Sequence, residues 1–165
     1  MIGNSDLAQT FWEHGKAADC PIYDMHGHMG PYHSIYFPRA EPADMVRTMD
    51  EAGVRLLIFS HHSALNSPNL ANQPSIAAVR AFPDRLRAYC MVNPNYPEQM
   101  ARDLDAFDSL FPDVYVGFKF LSDYHQIPLT DEAYRPAWEV ADRRGLLVLA
   151  HTWGGSQYDG EASGS

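Results

Sequence analysis

Cysteine is nearly absent from this sequence. Only Cys20 and Cys90 occur among its 165 residues, far apart and in no metal-binding or redox spacing. A disulfide scaffold is therefore not expected, and a reducing cytoplasm is the default compartment. Cations are also in the minority: 12 Lys and Arg stand against 21 Asp and Glu, for a formal net charge of -9. Nucleic-acid and anionic-membrane surfaces want clustered Lys and Arg, so neither partner is expected. No apolar run approaches the length of a membrane span. The first residues, MIGNSDLAQTFWEHGK, hold no apolar core of signal-peptide length. A Gly-rich phosphate loop is missing as well. What remains is an ordinary globular composition, 45% hydrophobic and 20% charged, long enough for one domain with a sizeable core.

The stretch that carries chemistry is PIYDMHGHMG, residues 21–30. It reads as a short strand whose end presents His26 and His28. Alternate side chains of a strand point to one face, so both imidazoles aim at one spot. Neutral imidazole is the commonest protein ligand for zinc-like ions. Asp24 precedes the pair at the same spacing. The loop that follows, residues 31–40, is aromatic, with Tyr32, His33, Tyr36 and Phe37.

Four more apolar runs follow: VRLLIFS, LRAYCMV, VYVGFKFL and LLVLAHTW, at residues 54–60, 86–92, 114–121 and 146–153. Between them lie four segments with helical periodicity, at residues 41–52, 72–82, 97–111 and 131–144. Their buried stripes are Met45, Met49 and Ala52; Ile76, Val79 and Ala81; Met100, Leu104, Phe107 and Phe111; and Tyr134, Trp138 and Ala141. Proline in the first turn and Gly53 or Gly145 after the last turn mark several ends. Residues 1–20 read as a leader that holds a short helix, with Phe11 and Trp12 packed under the sheet and His14 on the surface. Residues 21–155 form the domain, and 156–165 a loose Gly- and Ser-rich tail. The strands recur about every 30 residues, the size of one βαβ unit. They are continuous apolar runs, as parallel strands buried on both faces are. Such alternation gives an α/β fold, either a doubly wound open sheet or a (β/α)8 barrel. Both put their chemistry at the C-terminal ends of strands. There the polar residues gather: His26, His28, His61, His62, Asn93, Lys119, Asp123 and His151.

Several segments together resemble the amidohydrolase superfamily, in its amidohydrolase-2 branch, which includes relatives of aminocarboxymuconate-semialdehyde decarboxylase. They are DMHGHMG, MDEAGVRLLIF, FPDRLRAYCMVNP, VGFKF and AYRPAWEVADRRGLLVLAHTW, spanning roughly residues 20–155. The resemblance implies a (β/α)8 TIM barrel, of which this chain holds the first five strands and four helices. It implies a divalent metal ion, zinc by expectation, held by His26, His28 and His151. A sixth-strand histidine and an eighth-strand aspartate acting as general base would lie beyond residue 165. Lys119 is expected to point into the barrel interior, with Phe118 and Phe120 on the helix side. In some relatives a lysine there is carbamylated and bridges two metals; in this branch contact with a substrate carboxylate or an internal carboxyl is the stronger expectation. His61, His62 and Tyr32 are candidates to line the pocket, and His33 and His125 are loop residues of no assigned role.

The expected function is metal-dependent hydrolysis of an amide, ester or lactone in a small substrate, cyclic or open. The first alternative is non-oxidative decarboxylation of a cyclic or aromatic acid. The second is an inactive barrel fragment that needs further strands or pairs with another copy through its open edges. A barrel-type metal phosphoesterase or nuclease is a third, against which the acidic balance and aromatic loop weigh.

Overall fold

The computed structural model describes residues 5–17, 19–67 and 69–151. In chain order they form α1 (Asp6–His14), β1 (Ile22–Met29), α2 (Pro42–Ala52), β2 (Val54–His61), α3 (Ser63–Asn66), α4 (Gln73–Ala81), β3 (Leu86–Met91), α5 (Pro97–Leu110), β4 (Tyr115–Phe120), α6 (Ser122–His125), a 3-10 turn (Glu132–Tyr134) leading into α7 (Arg135–Arg144), and β5 (Leu147–Ala150). The four long linking helices are the four expected from periodicity. Proline stands in the first turn of α2, α4, α5 and α7, where its missing N–H has no partner to lose. Gly53 and Gly145 close α2 and α7 in the left-handed conformation.

All five strands are parallel and lie in the order β1-β2-β3-β4-β5. That order decides between the two architectures. A doubly wound sheet reverses its direction of growth at a switch point, and this one does not. Right-handed crossovers that always step the same way put every helix on one face. The core lies accordingly. Phe118 packs on Phe107 with ring centroids 4.7 Å apart, and Phe120 packs on Tyr134 and Trp138 at 5.2 and 4.5 Å. Each such side chain, taken fully out of water, contributes about 1.5–3 kcal/mol.

The opposite face curls inward. Adjacent strands are spaced by about 4.8 Å, so β1 and β4 would stand about 14 Å apart on a flat sheet. Yet Lys119 Nζ of β4 lies 3.5 Å from His26 Nε2 of β1. Tyr89 on β3 likewise donates from its hydroxyl to the Met25 carbonyl of β1 at 3.1 Å. The sheet is thus half a barrel, with its concave side lined by polar and aromatic groups.

Several expectations need correction. Phe11 and Trp12 do not pack under the sheet: they are 42% and 66% exposed, and α1 has no buried residue. Ala81 is exposed, and Ala78 takes its place beside Val79 in the core. The single-turn helices α3 and α6 were not anticipated, being too short to show a period. Asn72, read as the first residue of a helix, is a buried connector. Its amide group pairs with both the N–H and the carbonyl of Met91 at 2.9 Å and donates to Asp103 at 3.0 Å, joining α4 to β3 and α5. The last residues of the fifth apolar run, 152 and 153, and the tail at 156–165 lie outside the described residues.

Candidate metal and substrate site

The strand β1 carries a bulge where its register against β2 shifts, between Asp24 and Gly27. Strand parity would put Asp24 on the face of His26 and His28. The extra residue breaks that parity. Asp24 instead folds back, and its Oδ1 accepts from the His26 backbone N–H at 2.9 Å. Beyond the bulge the alternation is clean: Gly27 and Met29 are buried against the helix side, and His26 and His28 face the concave side. Bulges beside active sites commonly re-aim a side chain in this way. The two imidazole centroids are 5.2 Å apart.

His151 follows β5 directly. Its backbone N–H donates to the Phe120 carbonyl at 2.9 Å, which extends the β4–β5 ladder by one step. Lys119 is fully buried and reaches the same space, between Met91 and Leu149 in register. Phe118 and Phe120 turn the other way, so the expected orientation of this strand is the one found.

A cavity of about 270 Å3 opens here, with His28, Lys119 and His151 at its polar end. Tyr32 and Phe37 of the aromatic loop and Leu65 of α3 supply much of the apolar wall. Tyr124 of α6, which sequence reasoning did not single out, packs edge-on to His151 at 5.1 Å. Its one visible signal was its place just after a strand end. His62 is buried and lines the cavity, while His61 turns aside to bond Ser63 Oγ through Nδ1 at 2.8 Å. Gly30, with φ +82°, lies so close to the His61 ring that a Cβ there would sit 2.3 Å from it. His33 is exposed. His125 is buried and bonds the Tyr134 hydroxyl at 3.0 Å, away from the cavity lining.

The electrostatics favour uncharged imidazoles. Burial, then His62 and His26, pull the His28 pKa down to about 4. His26 is lowered by burial and by Lys119, against the opposing pull of Asp24. Burial and Lys119 also lower His151, with Asp123 opposing. Burial pushes Lys119 down to about 8. Neutral imidazoles with lone pairs to spare are the form a divalent ion needs. In kind, then, His26, His28 and His151 fit such an ion. In placement they are incomplete: among the described residues no three His, Cys, Asp or Glu side chains converge as a ready-made metal cluster. The Lys119 amine sits against the His26 ring nitrogen that faces this space.

No protein-family model matches the chain, and no curated protein does. Solved structures do. A 5-carboxyvanillate decarboxylase from Novosphingobium aromaticivorans, complexed with manganese and 4-hydroxy-3-methoxy-5-nitrobenzoic acid, superposes with a TM-score of 0.62 at 14% identity, over 81% of this chain and 51% of that one. A 2,6-dihydroxybenzoate decarboxylase complexed with 2,6-dihydroxybenzoate gives 0.61 at 15% identity, over 86% and 52%. A 4-oxalomesaconate hydratase from Rhodopseudomonas palustris gives 0.58 at 18% identity, over 79% and 52%. The chain spans about half the length of each of these proteins. These neighbours are amidohydrolase-2 proteins, and the likeness to them is one of fold, a partial (β/α)8 barrel.

Proposed function

We propose that this chain carries the metal-binding half of an amidohydrolase-type enzyme that acts on a small cyclic carboxylic acid. The observation that carries the reading is the gathering of His28, His151 and Lys119, from three separate strand ends, on one cavity, with His26 Nε2 beside them 3.5 Å from the Lys119 amine. His26, His28 and His151 would hold the divalent ion. When bound, such an ion polarises a carbonyl or lowers the pKa of a water. The rest falls to the chain's own groups. Lys119, buried and cationic at neutral pH, anchors a substrate carboxylate. Tyr32, Phe37 and Leu65 hold the ring and keep water from its faces. Zinc is the ion favoured by an all-imidazole set; manganese, present in the carboxyvanillate decarboxylase, is the competing one.

Hydrolysis of an amide, ester or lactone is the leading reaction. Decarboxylation is the second reading, and the carboxyvanillate and dihydroxybenzoate decarboxylases among the structural neighbours support it. Two free thiols, Cys20 and Cys90, support assignment to a reducing cytoplasm. Among the described residues no helix is long and apolar enough to cross a membrane.

The test is elemental analysis of the purified chain beside the His26→Ala/His28→Ala double variant. Wild type should retain about one equivalent of zinc or manganese and the variant almost none; equal metal in both would overturn the assignment. Substrate panels of lactones and aromatic acids, read by ring opening and by carbon dioxide release, then separate the two reactions.

A further inference from the structure

The residue His62 was anticipated only as a strand-end neighbour of the pocket, yet its surroundings define its chemistry closely. Its backbone N–H donates to the Met29 carbonyl at 2.9 Å. Its side-chain Nδ1 lies 2.7 Å from the Gly30 carbonyl. A carbonyl can only accept, so Nδ1 must carry the proton. In the neutral ring that fixes the tautomer and leaves Nε2 with its lone pair. The ring cannot drift, because it is held in a run of aromatic neighbours. His28 lies 5.2 Å away at 31°, Tyr32 5.0 Å away at 35°, and Phe37 meets it edge-on at 6.2 Å. His62 also lines the cavity. A fixed acceptor thus stands beside the apolar stretch of wall that Tyr32, Phe37 and Leu65 form.

We infer that His62 is the specificity-determining residue of this cavity: through Nε2 it accepts a hydrogen bond from a protic ring substituent, a hydroxyl or amino group, on a planar carboxylic acid. This rests on the reading of the cavity as the substrate site. The volume, about 270 Å3, lies just below the 300–1,000 Å3 usual for drug-sized ligands and suits a single ring. An acceptor built to take a proton rejects an analogue that lacks the donor, because the buried lone pair is then left unpaired.

The two amide side chains separate the two nitrogens. Asn places its amide near the position of Nδ1 and offers nothing at Nε2; Gln does the reverse. Binding of 2-, 3- and 4-hydroxybenzoate, each against its methoxy counterpart, is measured by calorimetry on the wild-type chain, His62→Asn and His62→Gln, with circular dichroism as the fold check. At least one hydroxy isomer should bind wild type about tenfold more tightly than its methoxy partner. His62→Asn should erase that preference while methoxy affinity changes less than about twofold, and His62→Gln should keep most of it. The inference is overturned if wild type binds none of these acids, if it shows no preference, or if the preference survives His62→Asn. The metal reading stands or falls separately. Retained metal with a preference indifferent to His62 sinks this inference alone, and a His62-dependent preference in a protein that holds no metal sinks only the other.

Discussion

Lys119 is the residue at which burial and chemistry conflict most sharply. No part of it reaches solvent, and burial lowers its pKa from 10.5 to about 8. Below about pH 8 the amine is charged in both the folded and unfolded chain, so the fold bears the whole desolvation cost. Between about pH 8 and 10.5 the unfolded chain binds more proton than the folded one, and stability rises with pH. Above that range the cost is gone. Lys119→Met should therefore be more stable than wild type by up to roughly 3 kcal/mol at pH 7, with the gap closing by about pH 10.5. Urea unfolding at several pH values checks this, and a gap that does not change with pH would refute it. The sequence made the position of Lys119 legible because parity holds over the end of β4, from Gly117 to Phe120: Phe118 and Phe120 mark the helix side. Asp24 was not legible. A bulge leaves no mark in the residue order, and the Asp24 side chain caps the backbone turn that aims the histidines.

Among the elements, α4 depends on one side chain. The buried Asn72 amide bonds the Met91 backbone N–H and carbonyl, Asp103 and, at 3.7 Å, Cys90 Sγ. Burial raises the Asp103 pKa, and its bonds to Asn72 and Gln99 oppose that rise. Asn72→Ala should leave a buried N–H and carbonyl unpaired and cost about 2–4 kcal/mol, read as a lower urea midpoint with an unchanged slope. A loss below about 0.5 kcal/mol would mean that water replaces the amide. From sequence α2, α4 and α5 could be bounded to within a residue or two, with proline in each first turn, whereas α7 starts four residues later than expected, after the 3-10 turn. The single turns α3 and α6 could not, since four residues carry no period. The apolar face of α1 misled for a related reason: Phe11 and Trp12 look like core residues by type, and nothing local says whether a sheet lies beneath them.

At the scale of the whole molecule, among the described strands β1 and β5 each pair on one side only. The outer strand is also wet: Leu147 is 50% exposed, whereas Phe118 beside it in register with Val148 is fully buried. Unpaired edges and bare leucine invite another sheet. The chain of residues 1–165 is therefore expected to self-associate. Leu147→Lys, which puts a charge on that edge, should shift the population toward smaller species in size-exclusion chromatography with light scattering; a wild type that stays monomeric across a hundredfold dilution series would argue against it. A last feature has consequences on another timescale. The Gly30 N–H donates to the Ala40 carbonyl at 2.8 Å, which ties the two ends of the aromatic loop together. Because the loop closes on itself, its length is only weakly coupled to the barrel, since closure entropy grows slowly with length. The imidazoles sit on strands, and Tyr32, Ile35 and Phe37 sit on an exchangeable cassette. On the proposed reading of the cavity, exchanging this ten-residue segment should change which ring fits while leaving His26 and His28 in place.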